Sequence, residues 1–361
     1  MTQDKISMFD SFKIGRLTVK NRLVRSATFE FGADDGLITP RLLELYRDLA
    51  AGGSGLIITG HEGITASGRT GPSMVDTTHP QYVEKLSQIA RAVHDEGSLI
   101  FVQINHGGYK TAKLDGYDRF GVSAAEVDGQ PYREMTPEDI QKVTFDFAAA
   151  AKKVKEAGCD GVQIHASHGY LLCTFLSPYF NSRKDSYGGP IENRARILFD
   201  AYEAVRAAVG PDFPVGLKIH FSDRVDPTIT PQDCVYAAEE LTKRGLDMIE
   251  ISSGITPDGG SSSFSPFVKD ESKEAIFLPG AARIAQTVTQ IPVISVGAYR
   301  TPSVIERSLF YAGISAVSLC RPLICEPNLP NRWRNDPAKA KCVSCNKCFT
   351  SKEIISCMVN K

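Results

Sequence analysis

Thr136-Pro137-Glu138-Asp139-Ile140, followed further on by Ala157-Gly158-Cys159-Asp160-Gly161-Val162-Gln163-Ile164-His165, carries one complete structural unit. A Thr hydroxyl can cap the unpaired amides of a helix start, Pro suits the first helical turn, and Asp139 three residues on adds a capping-box signal. Apolar residues at helical spacing fill 140–157, Gly158 supplies the left-handed residue that closes a helix, and 161–165 is a short apolar run of the kind that becomes a buried strand. The order Thr-Pro, helical segment, glycine, strand recurs three times. It runs from Thr39-Pro40 through Gly52 to 55–59, from Thr230-Pro231 through Gly245 to 248–252, and from Thr301-Pro302 through Gly313 to 316–320.

Working outward, further β-rich runs at 23–28, 99–105, 215–220 and 292–296 bring the expected strands to eight, with helical spacing also at 82–94, 191–209 and 234–244. Strands alternating with helices give a parallel sheet. No G-x-G-x-x-G follows a first strand and no P-loop is present, which disfavours an open dinucleotide-binding sheet. The expected fold is α/β, a (β/α)8 TIM barrel over residues 1–335 with a Cys-rich tail, 336–361, as a separate short region. No internal repeat stands out at the level of sequence identity. The Gly- and Ser-rich stretch 253–265 reads as a loop after the sixth strand.

With 41 Lys plus Arg against 42 Asp plus Glu, the chain has no net positive field to draw it to nucleic acid or anionic membrane. It shows neither a signal-peptide pattern nor a run of about 18 apolar residues, so a cytoplasmic protein with a small-molecule partner is expected, no nucleic acid or membrane partner, and a homo-oligomer left open.

Functional groups of a parallel barrel gather at the carboxyl ends of its strands. Here the third strand ends in Gln103-Ile104-Asn105-His106, the fourth in His165-Ala166-Ser167-His168-Gly169-Tyr170, and the fifth in Lys218-Ile219-His220. Two imidazoles and a phenol at this spacing can converge on one polar atom: imidazole N–H groups stabilise negative charge on a carbonyl oxygen, and a phenol delivers a proton to a carbanion-like centre. A satisfied-core His pair or a metal-ligand pair fits the same pattern. Ser295-Val296-Gly297-Ala298 and Cys320-Arg321 end the seventh and eighth strands, where barrels often hold a phosphate, although Arg321 in a surface ion pair is the plainer alternative. Lys218 could set positive charge beside an electron-rich ring or form a Schiff base.

Four motifs, Leu17-Thr18-Val19-Lys20-Asn21-Arg22, Val102-Gln103-Ile104-Asn105-His106-Gly107-Gly108, Ile164 through Leu172, and Ser186-Tyr187-Gly188-Gly189-Pro190-Ile191-Glu192-Asn193-Arg194, together resemble the Old Yellow Enzyme family in order and spacing. The resemblance covers residues 8–335 and implies a barrel with FMN at its mouth. It implies that Ala27 and Thr28 meet the isoalloxazine edge, that Gly60 is the small residue after the second strand, and that Gln103 bonds the pyrimidine part of the flavin. It further implies that Lys218 lies near N1, where it would favour the anionic reduced ring, and that Gly297 and Arg321 hold the phosphate. His165 and His168 would hold a substrate carbonyl, with Tyr170 as proton donor. The implied reaction is ping-pong: NAD(P)H reduces FMN, leaves, and an α,β-unsaturated carbonyl compound takes its place. One departure is Phe29, where the family often has Thr, Cys or His to tune the flavin.

The tail, Cys342-Val343-Ser344-Cys345-Asn346-Lys347-Cys348 and then Cys357, resembles the iron-sulfur segment of the 2,4-dienoyl-CoA reductase branch, with shorter spacings after the second cysteine and no further flavoprotein domain in the sequence. Four thiolates so spaced suit either [4Fe-4S] or zinc, with a reduced or disulfide-linked tail as the alternative. Two rival functions remain: a Schiff-base aldolase on Lys218, which would be colourless, and a flavin-binding electron-transfer or redox-sensing protein without enone turnover.

Overall fold

The computed structural model describes residues 6–113, 117–127, 129–255, 268, 270–350 and 354–359. Eight strands form the barrel: β1 (Leu23–Arg25), β2 (Leu56–Ile58), β3 (Leu99–Asn105), β4 (Gly161–Ala166), β5 (Val215–His220), β6 (Met248–Ser252), β7 (Val293–Val296) and β8 (Ala316–Leu319). Each pairs in parallel with the next, and β8 returns to β1 with Val317 opposite Leu23, which closes the sheet. Between successive strands lie α1 (Pro40–Ala51), α2 (Tyr82–Asp95), α3 (Pro137–Glu156), α4 (Arg196–Val209), α5 (Pro231–Lys243), α6 (Leu278–Thr287) and α7 (Pro302–Ala312). This is the expected (β/α)8 barrel.

Period-two alternation divides the strand residues between two cores. Ile100, Val102, Ile104, Val162 and Ile164 face outward and pack with the helices, for which α3 supplies Ile140, Val143, Phe147, Ala151 and Val154 at helical spacing. Facing inward near the strand starts, Val24, Leu56, Phe101, Met248 and Ile294 form a second cluster with Phe12, Ile14 and Val19 of an antiparallel hairpin, Phe12–Ile14 with Leu17–Val19. The hairpin thus plugs the amino-terminal end. Gly161 and Gly216 make room for this floor: a Cβ would lie 2.5 Å from the Phe101 ring at the first and 2.6 Å from Met248 Cε at the second.

Of the four Thr-Pro starts, Thr136 and Thr230 form capping boxes with Asp139 and Asp233. Thr39 and Thr301 occupy N-cap positions but turn their hydroxyls elsewhere, to the Gly32 carbonyl (2.6 Å) and Glu274 Oε1 (2.8 Å). Gly158, Gly245 and Gly313 have positive φ as expected, whereas Gly52 stays right-handed at −69° and Gly53 makes the left-handed turn at 95°. The helix expected over 191–209 divides at Ala195 into Ile191–Arg194 and α4. Arg194 is drawn inward to the Leu176 and Gly189 carbonyls and to Asp233, contacts the continuing helix does not share. The Ser186–Arg194 motif therefore braces the segment after β4.

The described part of the tail packs against the barrel. Ala340 N donates to Arg300 O (2.8 Å) and Ile355 N to Glu30 O (2.7 Å). Most of the expected loop 253–265, with Phe264 and nearby Phe267, falls outside the described residues. No helix among the described residues is long and apolar enough to cross a membrane.

Candidate active site

Above the apolar floor, the next inward positions are polar, and a cavity of about 390 Å³ opens over them at the carboxyl ends of the strands. The polar layer is continuous. Gln103 Nε2 donates to Gln163 Oε1 (2.6 Å), Gln163 Nε2 to Glu250 Oε2 (2.9 Å), and Ser26 and Ser318 donate to Glu250 Oε1 (2.8 and 2.5 Å). Lys218 Nζ donates to Ser26 Oγ (2.9 Å) and pairs with Glu250 Oε2 at 3.2 Å. Burial pushes the Glu250 carboxyl up, but the Lys218 ammonium and the three hydrogen bonds outweigh it and hold the group below the ordinary carboxylate value.

The β4 end supplies one wall. His165 is 1% exposed and its Nδ1 is buried without a hydrogen-bond partner; its ring meets those of His168 and Tyr170 edge-on, each at 5.0 Å. His168 takes a left-handed backbone (φ 62°), which brings its Nε2 to 2.7 Å from Ser252 Oγ. Burial first, then nearby cations, lowers both imidazoles well below their usual value, so they are neutral at physiological pH. Burial raises the Tyr170 phenol, so it keeps its proton. Lys110 donates to the His168 carbonyl (2.7 Å) and lies 5.2 Å over the Tyr170 ring.

The other walls carry Ala27, Thr28 and Phe29 after β1, Gly297 after β7, and Arg321 after β8. Gly297 and Ala298 have φ of 128° and 62°, a turn suited to making a concavity of amides for an anion. A side chain at Gly297 would press within 2.8 Å of Ile276 and Phe277. Arg321 Nη1 donates to Asn346 Oδ1 (2.7 Å), and the tail adds Ser344 and Phe349 to the cavity wall. Thr28 spends its hydroxyl on the Ser26 carbonyl (3.0 Å), while Phe29 lies 5.0 Å from the His61 ring.

Gly60 stands apart from the other expected site residues. It does not line this cavity; its N–H donates to Tyr46 Oη (3.0 Å), and a Cβ there would collide with Glu30 Oε2 and the Thr28 carbonyl. Behind it lie two buried carboxyls, Glu30 and Glu62, the latter accepting from Tyr82 Oη (2.5 Å). Burial pushes Glu30 up to about 7 against the pull of Arg25, and Glu62 up to about 8. The folded chain therefore keeps protons that the unfolded chain releases near pH 4.5. Stability declines as pH rises from there toward 8, by about 1.4 kcal/mol for each tenfold difference in proton affinity between the folded and unfolded chain. Glu62→Gln is expected to flatten this decline in thermal melts between pH 5 and 8; an unchanged slope would place the proton elsewhere.

Among the described residues no group of three or more His, Cys, Asp or Glu side chains is placed to hold a metal ion. Cys342, Cys345, Cys348 and Cys357 line a small cavity of about 20 Å³ shared with Cys325, and the turn that carries them is committed to Arg321 through Asn346.

His61, Gln163 and Glu250 are site residues that the reading of strand ends missed. His61 joins Asn105 to the phenol: its Nδ1 is 3.0 Å from Asn105 Nδ2 and its Nε2 is 3.3 Å from Tyr170 Oη. Burial pushes it down to about 3, so it too is neutral. Gln163 and Glu250 interrupt apolar runs in the inward phase of their strands, and that phase was the signal available.

Residues 7–339 match the NADH:flavin oxidoreductase / NADH oxidase family. A protein named metal reductase from Desulforamulus reducens is 31% identical over 363 aligned positions, covering 98% of this chain and 53% of that protein. The chain spans about half the length of the first curated relatives it matches. A 2-naphthoyl-CoA reductase structure superposes with a TM-score of 0.88 at 26% identity, covering 98% of this chain and 57% of that one. Morphinone reductase in complex with tetrahydroNAD gives 0.79 at 25% identity, with 92% of each chain covered. Taken with the closed barrel and the cavity at its carboxyl end, these matches place this chain in the NADH:flavin oxidoreductase / NADH oxidase family, that of the Old Yellow Enzymes.

Proposed function

We propose that the chain holds FMN in the 390 Å³ cavity and, with NAD(P)H as co-substrate, reduces the activated C=C bond of an α,β-unsaturated carbonyl compound. The observation that carries the reading is His165 Nδ1, a buried polar atom without a protein partner in the wall of that cavity, beside a second imidazole and a protonated phenol. A buried polar group of this kind costs stability unless a ligand satisfies it. The cavity also fits the cofactor chemically, with the polar floor at Gln103 and Lys218 for a pyrimidine edge and the Gly297-Ala298 turn with Arg321 for a phosphate.

Bound flavin would supply what no side chain here can, acceptance of a hydride from one partner and its delivery to another. The side chains do the rest. His165 and His168, neutral through burial, donate to the substrate's carbonyl oxygen and stabilise charge that builds there. Tyr170 delivers a proton to the α-carbon. The Lys218–Glu250 pair argues against the Schiff-base alternative, which needs an unprotonated amine turned toward a substrate carbonyl.

Anaerobic mixing tests the proposal. Protein reduced by NADH or NADPH is expected to be reoxidised rapidly on mixing with 2-cyclohexenone, with saturated product formed. Reduced protein that dioxygen reoxidises but a panel of enones does not would overturn the substrate assignment.

A further inference from the structure

Glu250 does not itself line the cavity, yet both Gln103 and Lys218, which do, depend on it. An ionised carboxylate can only accept hydrogen bonds. Glu250 Oε1 therefore takes the single hydroxyl hydrogen of Ser26 and that of Ser318, and Oε2 takes Gln163 Nε2 and Lys218 Nζ. Having given its hydrogen away, Ser26 Oγ is left to accept from Lys218. With its amide NH2 committed to Glu250, Gln163 must turn Oε1 to Gln103, and Gln103 must answer with Nε2. Oxygen and nitrogen of an amide are assigned from such networks, and here the carboxylate at the end of the chain leaves one assignment. The Gln103 carbonyl and second N–H remain for whatever fills the cavity.

Charge follows the same arrangement. Lys218 and Glu250 are 2% and 0% exposed and 3.2 Å apart, so the floor carries an oriented ion pair rather than a bare cation. A buried charge acts strongly on its surroundings in a low dielectric, and a fixed partner removes most of that effect.

We infer that Glu250 is a positioning residue: it fixes which atoms Gln103 and Lys218 present to the cavity that would hold a flavin and offsets the Lys218 charge there. The inference rests on the flavin reading of the cavity. It gives two substitutions opposite effects. Glu250→Gln leaves Lys218 unopposed, favours the negatively charged reduced ring, and moves the flavin midpoint potential to more positive values. Lys218→Met leaves Glu250 unopposed and moves it to more negative values. The double variant Glu250→Gln/Lys218→Met, with neither charge, falls between the two. Because the amide that Glu250→Gln introduces donates as well as accepts, the hydrogen-bond chain loses its single polarity. FMN is therefore expected to bind at least about tenfold more weakly to the E250Q protein, the size of one neutral hydrogen bond made imperfect.

The test is spectroelectrochemical titration of wild type and the three variants, each saturated with FMN, alongside fluorescence titration of FMN binding. Opposite shifts in the two single variants support the inference. Should E250Q alone fail to fold, the positive shift is read between K218M and the double variant instead. Potentials that move together, or stay at the wild-type value while only melting temperatures fall, would show Glu250 to be a structural brace and overturn it. A wild-type protein that takes up no FMN would instead bring down the flavin reading, and this inference with it.

Discussion

Tyr170→Phe is expected to slow reoxidation of the reduced protein by an enone about 10²–10⁴-fold, the usual contribution of a positioned proton donor, while leaving reduction by NAD(P)H almost unchanged. The substitution removes one oxygen. The ring contacts with His61 at 4.8 Å and Lys110 at 5.2 Å do not depend on it, so the wall of the cavity stays in place. Burial keeps the Tyr170 phenol protonated well beyond neutral pH, and the loss should therefore be flat across pH 6–9. Stopped-flow measurement of the two half-reactions separates the steps; equal slowing of both would remove Tyr170 from proton transfer.

His165→Ala carries the second large effect, about 10²–10³-fold in kcat with an enone, the range for one lost donor to a developing oxyanion. His165 Nδ1 has no protein partner to lose, so the damage should fall on the substrate. His168 differs, since its Nε2 is already 2.7 Å from Ser252 Oγ; His168→Ala should cost less in kcat and more in thermal stability. His165→Asn, which restores an N–H donor, should recover part of the rate. Steady-state kinetics of the three variants would refute the assignment if His165→Ala left kcat at the wild-type level.

Much of the barrel was legible because its signals are local. Thr136 and Thr230 cap with an acid three residues on, and glycines near the helix ends take positive φ, so helix limits followed from neighbours in sequence. Gly52 misled because Gly53 follows it and one left-handed residue suffices. At the site, groups at strand ends such as Gln103, His165 and Lys218 stood out as polar residues where a core needs none, and they meet at one cavity. Glu250 and His61 did not stand out. Glu250 is hidden in an apolar run and is justified only by Lys218, Gln163 and two serines contributed by other strands, and His61 gains its meaning from Asn105 and Tyr170 across the barrel mouth. Such pairings are set by strand register, which a linear reading does not contain. The tail shows another limit: Cys342, Cys345, Cys348 and Cys357 line one small cavity, and whether such spacing makes a ligand set is decided by side-chain placement that a linear reading does not contain.

The most direct test of the central claim is the visible absorption spectrum of freshly purified protein kept free of oxygen, followed by denaturation and identification of what is released. Flavin absorption in the blue and release of FMN, one per chain, are expected. A colourless protein that cannot be reconstituted with FMN would contradict the claim.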